Sequence, residues 1–248
     1  MLLHVEHRLA IGQTTRIPGR MLSSLSPGTQ RIGRILTIRD QRGQDFRVRV
    51  VSIHADHCEA LVFEASGASV ESPVAIHLLQ GLPKKEKLEW ILQKVTELGV
   101  YSIVPFESEK SITLEQRDAR QKKSHRWQRV ATKAVQQCRR ARIPQVYPPL
   151  AFSHALELFQ GCDLRLLLWE READRGLRAI LTPLGQKPRN VALVVGPEGG
   201  FSSRELYVAR RKGYTPISLG QRILRTETAA IAATAIVQYE LGDLSGRG

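Results

Sequence analysis

Two segments of the chain combine residue types and spacing that can do chemistry. The first, VVGPEGGFSSREL (Val194 to Leu206), runs from small apolar residues into Gly196, Pro197, Glu198, Gly199 and Gly200 and then into a helix start. Three glycines in five positions let a backbone come close to a ligand where side chains would stand in the way. Neither familiar phosphate-binding template fits, because there is no lysine at the P-loop position and Glu198 stands at the second glycine of G-x-G-x-x-G. A carboxylate there would repel a pyrophosphate. A tight strand-to-helix turn with no ligand is the other reading of these residues. The helix entry itself is specified locally: Ser202 as N-cap, Glu205 three residues on and Phe201 facing Leu206 make a capping box with a hydrophobic staple.

The second segment, LGQRILRTETAAIAATAIVQYELG (Leu219 to Gly242), is another strand-end loop leading into a helix, with Thr226 as the expected N-cap. Alanines 229, 230, 232, 233 and 235 allow close packing on a sheet or on a second subunit. Arg225 lies immediately before this helix, at the carboxyl end of a strand, where parallel sheets hold their ligands. It either faces that crevice or pairs with Glu227. Other catalytic patterns are missing. No G-x-S-x-G nucleophile motif occurs, and no histidine follows His154. HADHC (His54 to Cys58) has metal-ligand residue types but lies between two strand patterns, which predicts a hairpin turn and no metal.

The elements that position these loops follow from hydrophobic periodicity. Short strand patterns at Arg31 to Ile38, Phe46 to Ile53 and Glu59 to Ala65 suggest a small β-barrel in residues 1–70, whose basic residues are all arginine. ASGASVESP (Ala65 to Pro73) is a small, polar linker. From residue 74 to 248 strand and helix patterns alternate. Strands are expected at Ala75 to Leu82, Tyr101 to Phe106, Asp163 to Glu170, Asn190 to Val195 and Thr215 to Leu219. Helices are expected at Lys84 to Leu98, 119–141, Ser153 to Gln160, near Leu177, Ser202 to Lys212 and Thr226 to Glu240. Such alternation implies a mostly parallel sheet covered on both faces, an α/β domain.

The 248 residues carry 37 Lys+Arg against 24 Asp+Glu, a net charge of +13. Residues 117 to 142 hold ten Arg/Lys and only Asp118 as an acid, a local +9 with Trp127 among them. That density points to a polyanion partner, with nucleic acid favoured over a merely solvated helix face. No membrane span is expected, since the longest run free of charged residues, Ile143 to Leu156, contains three prolines. Glu6 and Arg8 interrupt the apolar stretch a secretion signal needs, and Cys58, Cys138 and Cys162 form no regular framework. A cytoplasmic protein with free thiols is the expectation.

Taken together, GPEGGFS (Gly196 to Ser202), LGQRILRTETA (Leu219 to Ala229), QKVTELGV (Gln93 to Val100) and RWQRVATKAVQQCRRARIP (Arg126 to Pro144) resemble the ribosomal RNA small subunit methyltransferase E family. These are uracil-N3 methyltransferases of the knotted SPOUT superfamily. The chain departs from the family pattern at Thr37, Lys110, Gln136 and Arg139. The resemblance implies an N-terminal PUA-like β-barrel and an α/β-knot methyltransferase domain, and a homodimer acting on small-subunit ribosomal RNA. It implies that S-adenosylmethionine is held by Leu168, by Gly196, Pro197, Glu198, Gly199 and Gly200, and by Leu219, Gly220, Ile223, Leu224 and Arg225. RNA would be held by Arg16, Arg34, Lys94, Arg126, Arg129, Lys133 and Arg140. Uracil N3 must lose its proton before it attacks a methyl group. Arg225 would stabilise the resulting anion, and the proton acceptor is a carboxylate, with Glu198 a candidate, a water or bulk solvent. A non-catalytic ribosome-assembly protein, or a SPOUT methyltransferase for another RNA position, are the alternatives.

Overall fold

The computed structural model describes residues 2–23, 31–65, 71–84, 87–113, 115–116, 126–170, 176–181 and 185–246. Arg117, Arg120, Lys122 and Lys123 of the basic run, and residues 66–70 of the expected linker, lie outside these. The chain divides into two compact units, Met1–Glu71 with Arg139–Arg142, and Ser72–Cys138 with Ile143–Gly248.

In the first unit β1 (Leu2–His4), β2 (Thr14–Pro18), β3 (Ile35–Arg39), β4 (Asp45–Ile53) and β5 (His57–Ala65) pair in the order β1-β3-β4-β5-β2, with a short α1 (Gly19–Ser23) after β2. Only β1 and β3 are parallel. Among the described residues β1 and β2 do not pair, so the sheet is a curled half-barrel where a closed barrel was expected. Alternation sets its faces, with Phe46, Val48 and Val50 buried beside Ile17, Ile38 and Val62. The guanidinium groups of Arg47 and Arg49 stand 5.2 Å and 5.4 Å from the Phe63 ring centroid. β3 begins at Ile35, four residues later than expected, because Gly33 adopts φ +85 in a turn and breaks the strand. HADHC does form the hairpin between β4 and β5, closed by a 2.8 Å bond from His54 N to His57 O. His54, His57 and Glu59 converge there, their ligand-type atoms within 4.8 Å of one another.

The second unit is built on a seven-stranded sheet, β12-β10-β11-β6-β7-β8, formed by β6 (Ala75–Gly81), β7 (Ser102–Glu107), β8 (Gln145–Val146), β10 (Leu164–Leu168), β11 (Asn190–Val195) and β12 (Thr215–Ile217), with β9 (Leu150–Ala151) beside β7. Every pairing is parallel. The central strands are apolar on both faces, as a doubly covered sheet requires. Ile76, Leu78, Val191 and Leu193 face one core with α2 (Lys87–Glu97), α3 (Trp127–Cys138) and α7 (Thr226–Glu240), into which Ala230 and Ala233 are fully buried. Leu79, Val104, Ala192 and Val194 face the other, with α4 (Phe152–Leu158) and α6 (Ser203–Arg211). A short α5 (Leu177–Leu181) follows β10. The α2 stripe is set by Leu88, Ile91, Leu92 and Val95, all buried, and Gly99 at φ +88 ends the helix. Cys58, Cys138 and Cys162 are free thiols, and burial pushes the Cys162 thiol up to about 11.

Candidate active site

The carboxyl ends of β10, β11 and β12 open onto one cavity of about 320 Å³, lined by residues from segments 168–170, 195–201 and 217–226, with Ala229 of α7. This volume suits a small-molecule ligand. Every residue expected to hold a cofactor lines it: Leu168, Gly196 to Gly200, Leu219, Gly220, Ile223, Leu224 and Arg225. The family resemblance named these residues, and the parallel sheet brings them together because its strands all deliver their following loops to the same edge.

Local chemistry shapes the glycine loop. Gly200 sits at φ +66, a conformation that costs an L-residue strain. Gly81, at the end of β6, touches the loop so closely that an added Cβ would lie 2.6 Å from Pro197 N and Cδ. Ser202 then caps α6 as expected: its hydroxyl accepts from Glu205 N at 3.1 Å, and Ser202 N donates to Glu205 Oε2 at 2.9 Å. The remaining Glu205 oxygen accepts from Glu109 N at 3.0 Å, while Lys110 Nζ donates to Phe201 O at 3.1 Å. The segment after β7 therefore braces the loop.

Thr226 differs from its expected role. Arg225 is the N-cap of α7 and provides no side-chain cap. The buried Thr226 hydroxyl instead donates to Gly196 O at 2.6 Å and accepts from Gln80 Nε2 at 2.9 Å. The reason is the demand of the Gly196 carbonyl, which lies in a buried residue beyond the end of the β11 ladder and needs a donor. Gln80, which is fully buried and also donates to Gly81 O at 2.9 Å, completes this link.

Charges at the site are unevenly matched. Lys87, at the start of α2, places Nζ 3.1 Å from Glu198 Oε1 and 3.2 Å from Glu227 Oε2. Burial works against its charge, but hydrogen bonds and attraction from both carboxylates outweigh that and raise its pKa above the ordinary lysine value. Glu198 also accepts from Lys84 N at 3.1 Å and 3.2 Å through its two oxygens. Glu227 thus belongs to Lys87. Arg225 is exposed and lines the cavity, and its side chain has no hydrogen bond or ion pair among the described residues. Arg222 and Glu170 line the cavity in the same unpaired state, and Trp169 and Glu170 are lining residues that the motifs did not single out. The apolar lining of Leu168, Val195, Ile217, Leu219 and Ala229 can take a flat heteroaromatic group, and the free Arg225 can take developing negative charge.

Of the basic residues, Arg126, Arg129 and Lys133 line one exposed face, at the head of α3 and along it, opposite the buried Trp127, Ala131, Ala134 and Val135. Arg16 is exposed on β2, with Glu59 3.8 Å away, and Arg34 is half-buried. Lys94 pairs with Glu97 at 2.9 Å. Arg140 is not disposed as a phosphate contact: it is buried and held by Glu71 at 2.6 Å, since a guanidinium removed from water needs a carboxylate partner.

Residues 70–238 match a family of proteins described as the RNA methyltransferase domain. The chain is 32% identical over 210 residues to the ribosomal RNA small subunit methyltransferase E of Bacillus subtilis (strain 168), covering 83% of this chain and 82% of that protein. A ribosomal RNA small subunit methyltransferase E from Neisseria gonorrhoeae, solved bound to S-adenosyl methionine, is similar at 30% identity and TM-score 0.69, over 98% of each chain. A Legionella pneumophila protein solved in complex with the cofactor SAM is similar at 29% identity and TM-score 0.69, again over 98% of each chain.

Proposed function

The chain belongs to the ribosomal RNA small subunit methyltransferase E family, and from that premise we propose that it methylates N3 of a uridine in the RNA of the small ribosomal subunit. The observation that carries this reading is the exposed, unpaired Arg225 at the edge of a cavity formed by the strand-end loops. S-adenosylmethionine, when bound, supplies an electrophilic methyl group. The residues present fit it. The cavity has the volume, the glycine backbone allows close approach, and Leu168, Leu219 and Ile223 offer apolar surface for an adenine.

Loss of the N3 proton spreads negative charge onto the flanking carbonyl oxygens of uracil. Arg225 donates to one of these and stabilises the anion, a contribution that is largest where water is excluded. Glu198, the carboxylate put forward as a candidate proton acceptor, sits between Lys84 N and Lys87 Nζ, which supports instead a role as the latch that fixes the glycine loop. The target base must leave its stack for this edge to be reached.

Residues 1–70 act in this reading as a PUA-like RNA-binding domain and residues 74–248 as an α/β-knot methyltransferase domain, working as a cytoplasmic homodimer. Arg126, Arg129 and Lys133, together with Arg16 and Arg34, hold RNA chiefly through phosphates. Reverse transcription of ribosomal RNA from cells with and without the protein tests the function. N3 methylation blocks the pairing edge, so a stop in the small-subunit RNA that depends on the protein is expected, and its absence refutes the assignment.

A further inference from the structure

We propose that Glu170 is the proton acceptor for uracil N3, an inference that rests on the uridine-N3 reading above. Removing an imide proton needs a base at the cavity, and among the described residues the cavity offers only glutamates for it. Its titratable lining residues are Glu170, Glu198, Arg222 and Arg225. No histidine, cysteine or lysine is among them.

The two glutamates differ in what already binds them. Both oxygens of Glu198 accept from Lys84 N, at 3.1 Å and 3.2 Å, and Lys87 Nζ lies 3.1 Å from Oε1. Two of these contacts fall on Oε1 and one on Oε2, so Glu198 is already engaged by the protein's own donors. Glu170 has no such engagement: among the described residues it makes no hydrogen bond and no ion pair, and it is exposed. It lies two residues past Leu168, beyond the end of β10, with its carboxylate over the glycine loop. A methyl added at Gly200 would stand 3.6 Å from Oε1 and 3.8 Å from Oε2. An ionised glutamate is acceptor only, and here all its acceptor capacity is open. Glu170 and Arg225 thus place an unpaired carboxylate and an unpaired guanidinium on separate loops of one cavity. One takes the proton and the other the charge it leaves behind.

The balance of the step is simple. The N3–H bond breaks and its proton passes to a Glu170 carboxylate oxygen. The pair left on N3 forms the new N–CH₃ bond while the S–CH₃ bond breaks with its electrons retained on sulfur. The proton on Glu170 then passes to water.

The test compares full-length wild type with Glu170→Gln, an isosteric change at an exposed site. Single-turnover methylation is followed on small-subunit RNA carrying either uridine or 5-fluorouridine, whose N3 proton is more acidic, at the target position. Calorimetry without RNA reports S-adenosylmethionine binding separately. The expected result is a rate loss of about 100-fold or more on uridine, unchanged cofactor affinity, and a much smaller loss on 5-fluorouridine. An unchanged rate, an equal deficit on both substrates, or a rate loss matched by weaker cofactor binding would overturn the proposal, the last assigning Glu170 to holding the cofactor. Wild-type enzyme that makes no N3-methyluridine in the same assay overturns the reading beneath it as well.

Discussion

The hydroxyl of Thr226 donates a 2.6 Å hydrogen bond to the carbonyl oxygen of Gly196, tying the first turn of α7 to the glycine loop that follows β11. Residues 30 positions apart thereby hold two walls of one cavity in register. Replacing Thr226 by Val keeps the shape but leaves Gly196 O without its donor and Gln80 Nε2 without one of its acceptors. A loss of about 1–3 kcal/mol in denaturant unfolding is expected, together with weaker S-adenosylmethionine binding by calorimetry. Thr226→Ser retains the hydroxyl and should recover most of both.

Arg225 is expected to separate chemistry from binding. Its side chain is exposed and unpaired, so Arg225→Ala should leave stability within about 0.5 kcal/mol of wild type. Single-turnover methyl transfer should fall by about 10²- to 10³-fold. If cofactor affinity falls while the single-turnover rate is kept, Arg225 is a binding residue and its role at the anion is wrong.

Lys87 holds Glu198 and Glu227 together, and Lys87→Met would leave the two carboxylates facing one another. The pair is neither fully exposed nor fully buried, so a destabilisation of about 1–3 kcal/mol is expected, with a weaker cofactor site. The pH dependence has a defined sign. The lysine's pKa is raised on folding, so its stabilisation is complete below the ordinary value of 10.5 and is lost only as pH rises through the higher folded value. Unfolding free energies of wild type and variant should therefore differ by a constant amount between pH 7 and 9. A gap that closes within that range contradicts the pairing.

The exposed face of Arg126, Arg129 and Lys133 should govern RNA affinity without touching the cofactor. Changing all three to Gln is expected to weaken RNA binding and to flatten its log–log salt dependence by roughly 0.7–0.9 per lost phosphate contact. Calorimetric S-adenosylmethionine affinity should not move. A salt slope equal to that of wild type would remove this face from the RNA contact surface.

What the sequence could determine was local or periodic. Asn190 to Val195 reads as a doubly buried strand because every position but its first is apolar, and β11 has those bounds. The Ser202–Glu205 capping box needs only residues within one turn, and it forms. The alanine pattern of Thr226 to Glu240 likewise predicts a closely packed helix with the observed limits. Because parallel strands send their loops to one edge, the glycine loop and Arg225 could be placed at the sheet's ligand edge, while Leu168 was named only by the family resemblance.

Partner choice across long stretches of chain belonged to the tertiary structure. Thr226 read as a helix cap, yet its hydroxyl serves a carbonyl that only packing brings near. Lys87 took Glu227 and left Arg225 free, a competition between two cations that neighbouring sequence could not decide. Arg140 sat within a basic run but is paired with Glu71 and buried. A side chain's type and spacing state what it can bind. Which partner it binds depends on what folding removes from water beside it, and that is settled by residues distant in sequence.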